Sequence, residues 1–293
     1  MTSPWRILDF CEFHGRVTAA KGFLKAGGQE VALTDIAVML VGVDVDLHSS
    51  IFDRASFFGF PILHCDWRNV PTSATWPWST NTRVAARHIA QAEMEIPRQK
   101  NAWMRIVKAK IAGQAFNLRN DHESLEYLTS LVSKVRSGDP TNCEGQAARF
   151  YWRRLYNDKN FRRTPGLSSS INGMLDYGYT ILRGGIARSI LSAGLWPTLG
   201  VWHRNRSNVF ALADDLIEPF RPAVDSVVAK IAFRTDTLDR EGKRELAKVL
   251  DLSFTTDGYT VSTELNRIAQ NFARYAEGVD KVLEVPKFNS NET

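Results

Sequence analysis

An α+β chain in two parts, a small β-rich N-terminal region followed by a larger all-α one, is what this sequence predicts. Three observations carry the prediction. Up to about residue 70 the apolar residues come in short runs punctuated by turn signals. From about residue 80 they recur at helical spacing. Between them, residues 66–79 are rich in Pro, Ser, Thr and Trp, the composition of a break. The expected division is a β-rich domain over 1–70, a linker over 71–80, a helical domain over 81–286 and a polar, disordered tail over 287–293.

The elements follow in order. Residues 6–10 partly alternate, and 17–20 form a short apolar piece. Gly27-Gly28 marks a turn between Phe23-Leu24 and Val31-Ala32-Leu33. The apolar run 36–43 reads as a buried strand, 50–57 as a short helix and 60–65 as a last strand. His14, His48 and His64 lack metal-ligand spacing and read as structural or surface residues. Helices are then expected over 81–95, interrupted at Pro97, and over 99–118, with Trp103, Ile106, Val107 and Ile111 as its apolar stripe. Asp121 opens the next, which stops near Gly138-Asp139-Pro140. A long apolar helical region spans 168–195, with Gly184-Gly185 expected to kink or break it. Further helices are expected from Pro222 to Ile231, over 239–250 and over 262–282.

Size and charge narrow the class. The chain has 293 residues, a formal charge of +5 and a pI near 9.1, which favours a polyanionic partner. Its three cysteines are scattered without a Cys-x-x-Cys pair, against a zinc ribbon or a thioredoxin-like site. Reduced thiols suit a cytoplasmic protein. The first residues lack a signal-peptide pattern, and no apolar run is long enough to span a membrane, so no membrane partner is expected. No phosphate-cradling Gly loop supports a small-nucleotide hydrolase.

The segment that concentrates chemistry runs from His203 to Pro222. Ser207 or Asn208 can cap a helix carrying Phe210, Ala213, Leu216 and Ile217. Asp214, Asp215 and Glu218 crowd into two turns with no Lys among them. Like charges at that spacing repel, and a divalent cation would reverse the sign. The plainer reading is a solvated face, with Arg221 pairing Glu218. Upstream, Thr141-x-x-Glu144 has the form of a capping box, which would leave Glu144 no chemistry. Behind it Arg149, Arg153, Arg154, Lys159, Arg162 and Arg163 interleave with Tyr151, Trp152, Tyr156 and Phe161. These suit phosphate contacts with aromatic support, or a solvated amphipathic face.

Asp215-Leu216-Ile217-Glu218-Pro219-Phe220-Arg221-Pro222, with His203 about a dozen residues upstream, resembles the CRISPR-associated integrase family. Glu144-Gly145-x-Ala147-Ala148-x-x-Tyr151 resembles that family's upstream motif, and 172–179 its Asn-x-x-Leu-x-x-Gly-Tyr element. The segment's form resembles the branch that accompanies type II systems. The resemblance implies a metal-dependent DNA endonuclease and integrase that inserts spacers into a CRISPR array, a DNA 3′-hydroxyl attacking a repeat phosphodiester. It implies Glu144, His203 and Glu218 as catalytic metal ligands for Mg²⁺ or Mn²⁺, and Asp215 as an auxiliary ligand or a residue behind the ligands. Some relatives carry Asp where this chain has Glu218. Arg149, Arg153, Arg154, Arg162 and Arg163 are the expected DNA contacts. The implied partners are a second copy of the chain through the β-rich domain, the small companion adaptation protein, double-stranded prespacer and repeat DNA, and the type II effector nuclease. The alternative is a non-catalytic nucleic-acid-binding scaffold.

Overall fold

The computed structural model describes residues 6–69, 71–77, 81–166, 170–203 and 205–290. Its N-terminal part holds β1 (Arg6–Phe10), β2 (Gly15–Ala20), β3 (Phe23–Ala26), β4 (Gln29–Ala32), β5 (Ile36–Val41), β6 (Val45–Leu47), the short helix α1 (Ser50–Phe58), β7 (Ile62–Cys65) and β8 (Pro71–Thr75). They form two four-stranded sheets, ordered β1-β5-β7-β8 and β4-β3-β2-β6. In the first, β1, β5 and β7 are parallel and β8 returns antiparallel to β7.

Every residue of β5 is buried, which explains its unbroken apolar run. Ile36, Met39 and Val41 face a core shared with β2, β3 and α1. Ala37, Val38 and Leu40 join a second core built mainly from helices. The strict two-residue alternation slips because the β1–β5 register shifts between Arg6 and Ile7. The first sheet is therefore the layer between the two cores.

The helical part comprises α2 (Val84–Ala92), α3 (Ile96–Asn117), α4 (His122–Lys134), α5 (Cys143–Leu155), α6 (Ser170–Ser192), α7 (Ala211–Leu216), α8 (Arg221–Ala232), α9 (Arg240–Ala247) and α10 (Val261–Ala276). The fold is α+β, as the sequence predicts. Among the described residues, no helix is long and apolar enough to cross a membrane.

Three local expectations are corrected. Part of the expected linker is strand: Pro71–Thr75 pairs with β7, and Pro71 tolerates this because β8 is the sheet's edge. Residues 70 and 78–80 lie outside the described ones. The tail is not free over 287–290, where Phe288 is 1% exposed and packs near Phe116 and Phe254. Residues 291–293 lie outside the described ones. The pair Gly184-Gly185 does not break α6, which is helical from Ser170 to Ser192.

Gly184 instead provides a close approach. A Cβ there would lie 2.8 Å from Val38 Cγ1 and 2.9 Å from Cγ2, so α6 can touch β5 only without a side chain. On an open helix face Gly→Ala stabilises by about 1 kcal/mol. Here the clash reverses the sign: Gly184→Ala should lower stability in urea denaturation by about 1–3 kcal/mol. Val38→Ala in the same chain should recover part of the loss. A more stable single variant would show that the contact is loose.

Candidate active site

Helix α3 organises the site. Its apolar stripe, Trp103, Ile106, Val107 and Ile111, faces the core, and Lys110 sits within that stripe. Gly113, one turn further on, lets α3 press against the start of α8: a Cβ there would be 2.9 Å from Pro222 Cγ. That approach delivers the Lys110 ammonium to the segment just before α8. Lys110 Nζ lies 2.5 Å from Glu144 Oε1 and 2.6 Å from Glu218 Oε2, with the lysine side chain only 13% exposed. Arg221 adds a second cation, 3.1 Å from Glu218 Oε1, the pairing the plainer sequence reading expects.

Glu144 is free to take part because other residues cap its helix. Asp139 accepts hydrogen bonds from the backbone N–H of Cys143 and Glu144, both at 2.9 Å. Asn142 accepts from Gly145 N–H at 3.0 Å. The capping-box reading is thus corrected: Asn142, not Thr141, is the N-cap, and the Glu144 carboxylate turns to Lys110.

The three acids that crowd together in sequence part company in space. Asp214 pairs with Arg183 at 2.7 Å and accepts from Asn208 at 2.8 Å. Asp215 is fully buried and turns the other way. Its Oδ2 accepts from the backbone N–H of Val201 (2.6 Å) and Trp202 (2.8 Å), and its Oδ1 lies 2.5 Å from His203 Nδ1. Glu218 alone turns to Lys110 and Arg221. The separation is possible because the expected helix is interrupted: α7 ends at Leu216, and Glu218–Phe220 is a 3-10 turn before α8. The helix also starts later than the Ser207 or Asn208 cap implies. Asn208 instead accepts from Phe210 N–H and donates to Asp214.

His203 is fixed from two sides. Asp215 holds Nδ1, and the ring stands edge-on to Trp103 with centroids 5.4 Å apart and planes at 84°. Trp202 stacks on Trp103 at 5.7 Å. The hydrogen bond to Asp215 lifts the imidazole above its usual range, against the opposing effect of burial, and the charges of Asp215, Glu218 and Glu144 add to the lift. Burial alone would raise Glu218. Arg221 and Lys110 outweigh it and hold the carboxyl below its usual range. Lys110, which burial would lower, is raised by Glu218 and Glu144.

Among the described residues, no three His, Cys, Asp or Glu side chains are arranged as a metal cage. The donor types still fit a hard divalent cation. Two carboxylates already meet at one positive charge, and Glu218 Oε2, buried beside that ammonium, has no hydrogen-bond partner of proper geometry. Asp215 behind His203 is the arrangement that leaves a ligating imidazole its other nitrogen.

Beside the carboxylates opens a cavity of about 670 Å³ lined by Lys110, Arg149, Arg153, Arg162, Arg163 and Arg221, with Trp152, Phe161 and Tyr179. Arg149, Arg153 and Arg162 make no ion pair among the described residues. Arg163 is held by Asp176 and Asn172, which anchor the loop carrying Arg162 to the start of α6. Arg154 does not line the cavity. It pairs with Asp121 and Glu123, both at 3.3 Å, and covers the Phe150 ring.

The family model for CRISPR associated protein Cas1 matches residues 23–250, a span that holds every residue of this site. The chain belongs to that family. It is 35% identical over 201 residues to the CRISPR-associated endonuclease Cas1 of Neisseria meningitidis serogroup C, covering 68% of this chain and 65% of that one. It is 30% identical over 207 residues to a CRISPR-associated endonuclease Cas1 of Francisella tularensis subsp. novicida, covering 64% of this chain and 65% of that one. Aligned stretches thus span just under two thirds of these relatives. A CAS1 protein from Thermotoga maritima shares the fold, with a TM-score of 0.75 at 17% identity over 96% of this chain and 100% of that one. A casposase bound to integration product does so with a TM-score of 0.70 at 20% identity over 96% of this chain and 92% of that one.

Sequence reasoning missed two groups in this site. Lys110 could have been found, because a lysine inside an apolar stripe must have a buried partner. Asp225 on α8 gave no local signal. It is 1% exposed and lines the cavity beside Tyr179, and its carboxyl accepts from the hydroxyls of Tyr179 (2.5 Å) and the buried Tyr151 (3.1 Å). Burial raises it to about 7 from an ordinary 3.8, although both tyrosines, Arg221 and Lys110 oppose the rise. The folded chain therefore holds this proton more tightly than the unfolded one. The stability so gained is complete below about pH 4 and is lost as the pH climbs through 7. Asp225→Asn, which mimics the protonated acid, should match wild type near pH 4 and exceed it by a few kcal/mol at pH 8 in urea titrations. A difference independent of pH would place the carboxylate charge elsewhere.

Proposed function

We propose that this chain is a metal-dependent DNA endonuclease and integrase that joins the 3′ ends of spacer DNA to a phosphodiester of a CRISPR repeat. The observation that carries the proposal is the juxtaposition of Glu144, Glu218 and the oriented His203 with the arginine-lined cavity. Two carboxylates and an imidazole are chemistry for a phosphodiester, and the cavity is a place for the strand that brings it. The names of the curated relatives, endonucleases, point the same way.

In this reading Glu144, Glu218 and Nε2 of His203 hold Mg²⁺ or Mn²⁺, which supplies Lewis-acid stabilisation of charge on phosphate oxygens. Asp215 is not a ligand; it keeps the proton of His203 on Nδ1 and the ring in place. Arg149, Arg153, Arg162 and Arg163 take the phosphates of the incoming strand, and Trp152 and Phe161 support its bases. Holding the strand end beside the carboxylates converts a bimolecular encounter into a positioned one, which contributes several kcal/mol. Arg154, already committed to Asp121 and Glu123, contributes least.

The assembly we propose is a homodimer through the β-rich part, acting with the small companion adaptation protein on double-stranded DNA in the cytoplasm, with the type II effector nuclease as a further partner. One structure of similar fold is a Cas6-RT-Cas1--Cas2 complex, with a TM-score of 0.73. The competing reading, a non-catalytic nucleic-acid-binding scaffold, draws on the carboxylates being closed on Lys110 with no three-donor cage among the described residues. One experiment separates the two. A prespacer with free 3′-hydroxyls, given the companion protein and Mn²⁺, should be joined to a repeat-bearing plasmid. The same prespacer with 3′-dideoxy ends should not be joined, although hydrolytic nicking persists. Joining that ignores the block would refute the integrase mechanism. Neither joining nor nicking would favour the scaffold.

A further inference from the structure

Lys110 stands where the two carboxylates converge, and a second cation can enter only at its expense. A small divalent ion binds carboxylate oxygens at about 2.0–2.1 Å. The ammonium already sits 2.5 Å from Glu144 and 2.6 Å from Glu218, so the two cations cannot share the space between those oxygens. Arg221 and His203 remain close by, and a divalent ion added without displacing Lys110 would raise an already balanced charge. The lysine has an open side to move to, because it also lines the cavity. That cavity is lined by Arg149, Arg153, Arg162 and Arg163, and the acid in its lining, Asp225, is already engaged by the Tyr179 and Tyr151 hydroxyls, so a displaced ammonium meets mainly positive charge there unless an anion comes with it.

We propose that Lys110 is a built-in cation that holds Glu144 and Glu218 together before the metal binds and, once displaced, becomes a phosphate contact in the adjoining cavity, so that divalent metal and DNA backbone bind cooperatively. This rests on the metal reading above and adds a linkage to it. Metal binding alone drives an ammonium into a positive cavity. Phosphate binding alone draws on a lysine still committed to two carboxylates. Each event removes the obstacle to the other, and the coupling is reciprocal.

The test is a Mn²⁺ titration followed by electron paramagnetic resonance of the free ion, with and without a duplex carrying 3′-dideoxy ends, after subtraction of Mn²⁺ held by the duplex alone. For wild type, the duplex should tighten Mn²⁺ by about tenfold or more, within the usual range of coupling between sites. Lys110→Met should bind Mn²⁺ without DNA about tenfold tighter than wild type, and the duplex should then add little. A second measurement uses wild type alone, in case the variant does not fold. Acylation of Lys110 by an N-hydroxysuccinimide ester, read by peptide mass spectrometry, should rise when Mn²⁺ is added without DNA. If Mn²⁺ binds wild type but Lys110 reactivity is unchanged, or the folded variant binds no tighter, the linkage is wrong and the metal reading stands. If Mn²⁺ binds neither protein with or without DNA, both are wrong.

Discussion

Glu218→Gln should abolish metal-dependent nicking and joining while also weakening the fold. Glu218 is 3% exposed and faces Lys110 at 2.6 Å and Arg221 at 3.1 Å. Removing one member of a buried charge cluster leaves its partners uncompensated, which costs about 3–5 kcal/mol. The activity effect has a separate origin. On the proposed metal reading, losing a ligand removes several kcal/mol of charge stabilisation, a decrease of about 10³-fold or more. Adding Lys110→Met should restore much of the lost stability, because it deletes the stranded ammonium, yet return no activity. Urea denaturation and plasmid nicking on the same preparations would show the split. If the double variant regained nicking, Glu218 would be a structural counter-charge and not a ligand.

Asp215→Asn should lower activity by about 10²–10⁴-fold with a much smaller effect on stability. The amide oxygen can still accept from the backbone of Val201 and Trp202, so the loop before α7 keeps its anchor. The amide nitrogen, now facing His203 Nδ1, is a donor where the carboxylate was an acceptor. The imidazole must then carry its proton on Nε2, which removes the lone pair that a metal requires. The same exchange of tautomer in other His–Asp pairs costs about 10⁴-fold, and loss of a residue behind a metal ligand about 10–100-fold. Nitrogen-15 spectra of the His203 ring would show the tautomer directly. A variant with full activity, or with Nδ1 still protonated, would sever Asp215 from the chemistry.

The parts of this molecule that were legible in the sequence are those whose cause is local. The unbroken run of β5 and the stripe on α3 follow from burial, and both stand where their patterns put them. The crowding of Asp214, Asp215 and Glu218 was visible, but its resolution was not. Each acid takes a partner from a distant part of the chain or from a break in the helix: Arg183, His203, or Lys110 on α3. Glu144 reads as a cap because Thr141 precedes it at the right spacing. Asp139 and Asn142 win that role because Asn142 takes a left-handed conformation at the helix start. Gly184-Gly185 reads as a kink because glycine weakens a helix, whereas the decisive partner, Val38, lies in another element. Pairing with an edge strand likewise could not be read from Pro71–Thr75, whose composition is that of a loop.

The packing of Phe288 bears on the order in which this molecule assembles. Its ring meets Phe116 and Phe254, and its Cβ would lie 3.3 Å from a side chain at Gly113, within one turn of Lys110. The helix that carries the central ammonium is thus wedged by a residue about 170 positions later. Closing so long a loop is slow, because its entropy must be lost before the contact rewards it. A ribosome-bound chain can form the sheets and the early helices while Phe288 is still unmade. The seam between α3 and the turn before α8 waits for it. On this topology the candidate site depends on a contact far along the chain, and its geometry is complete only once Phe288 has packed.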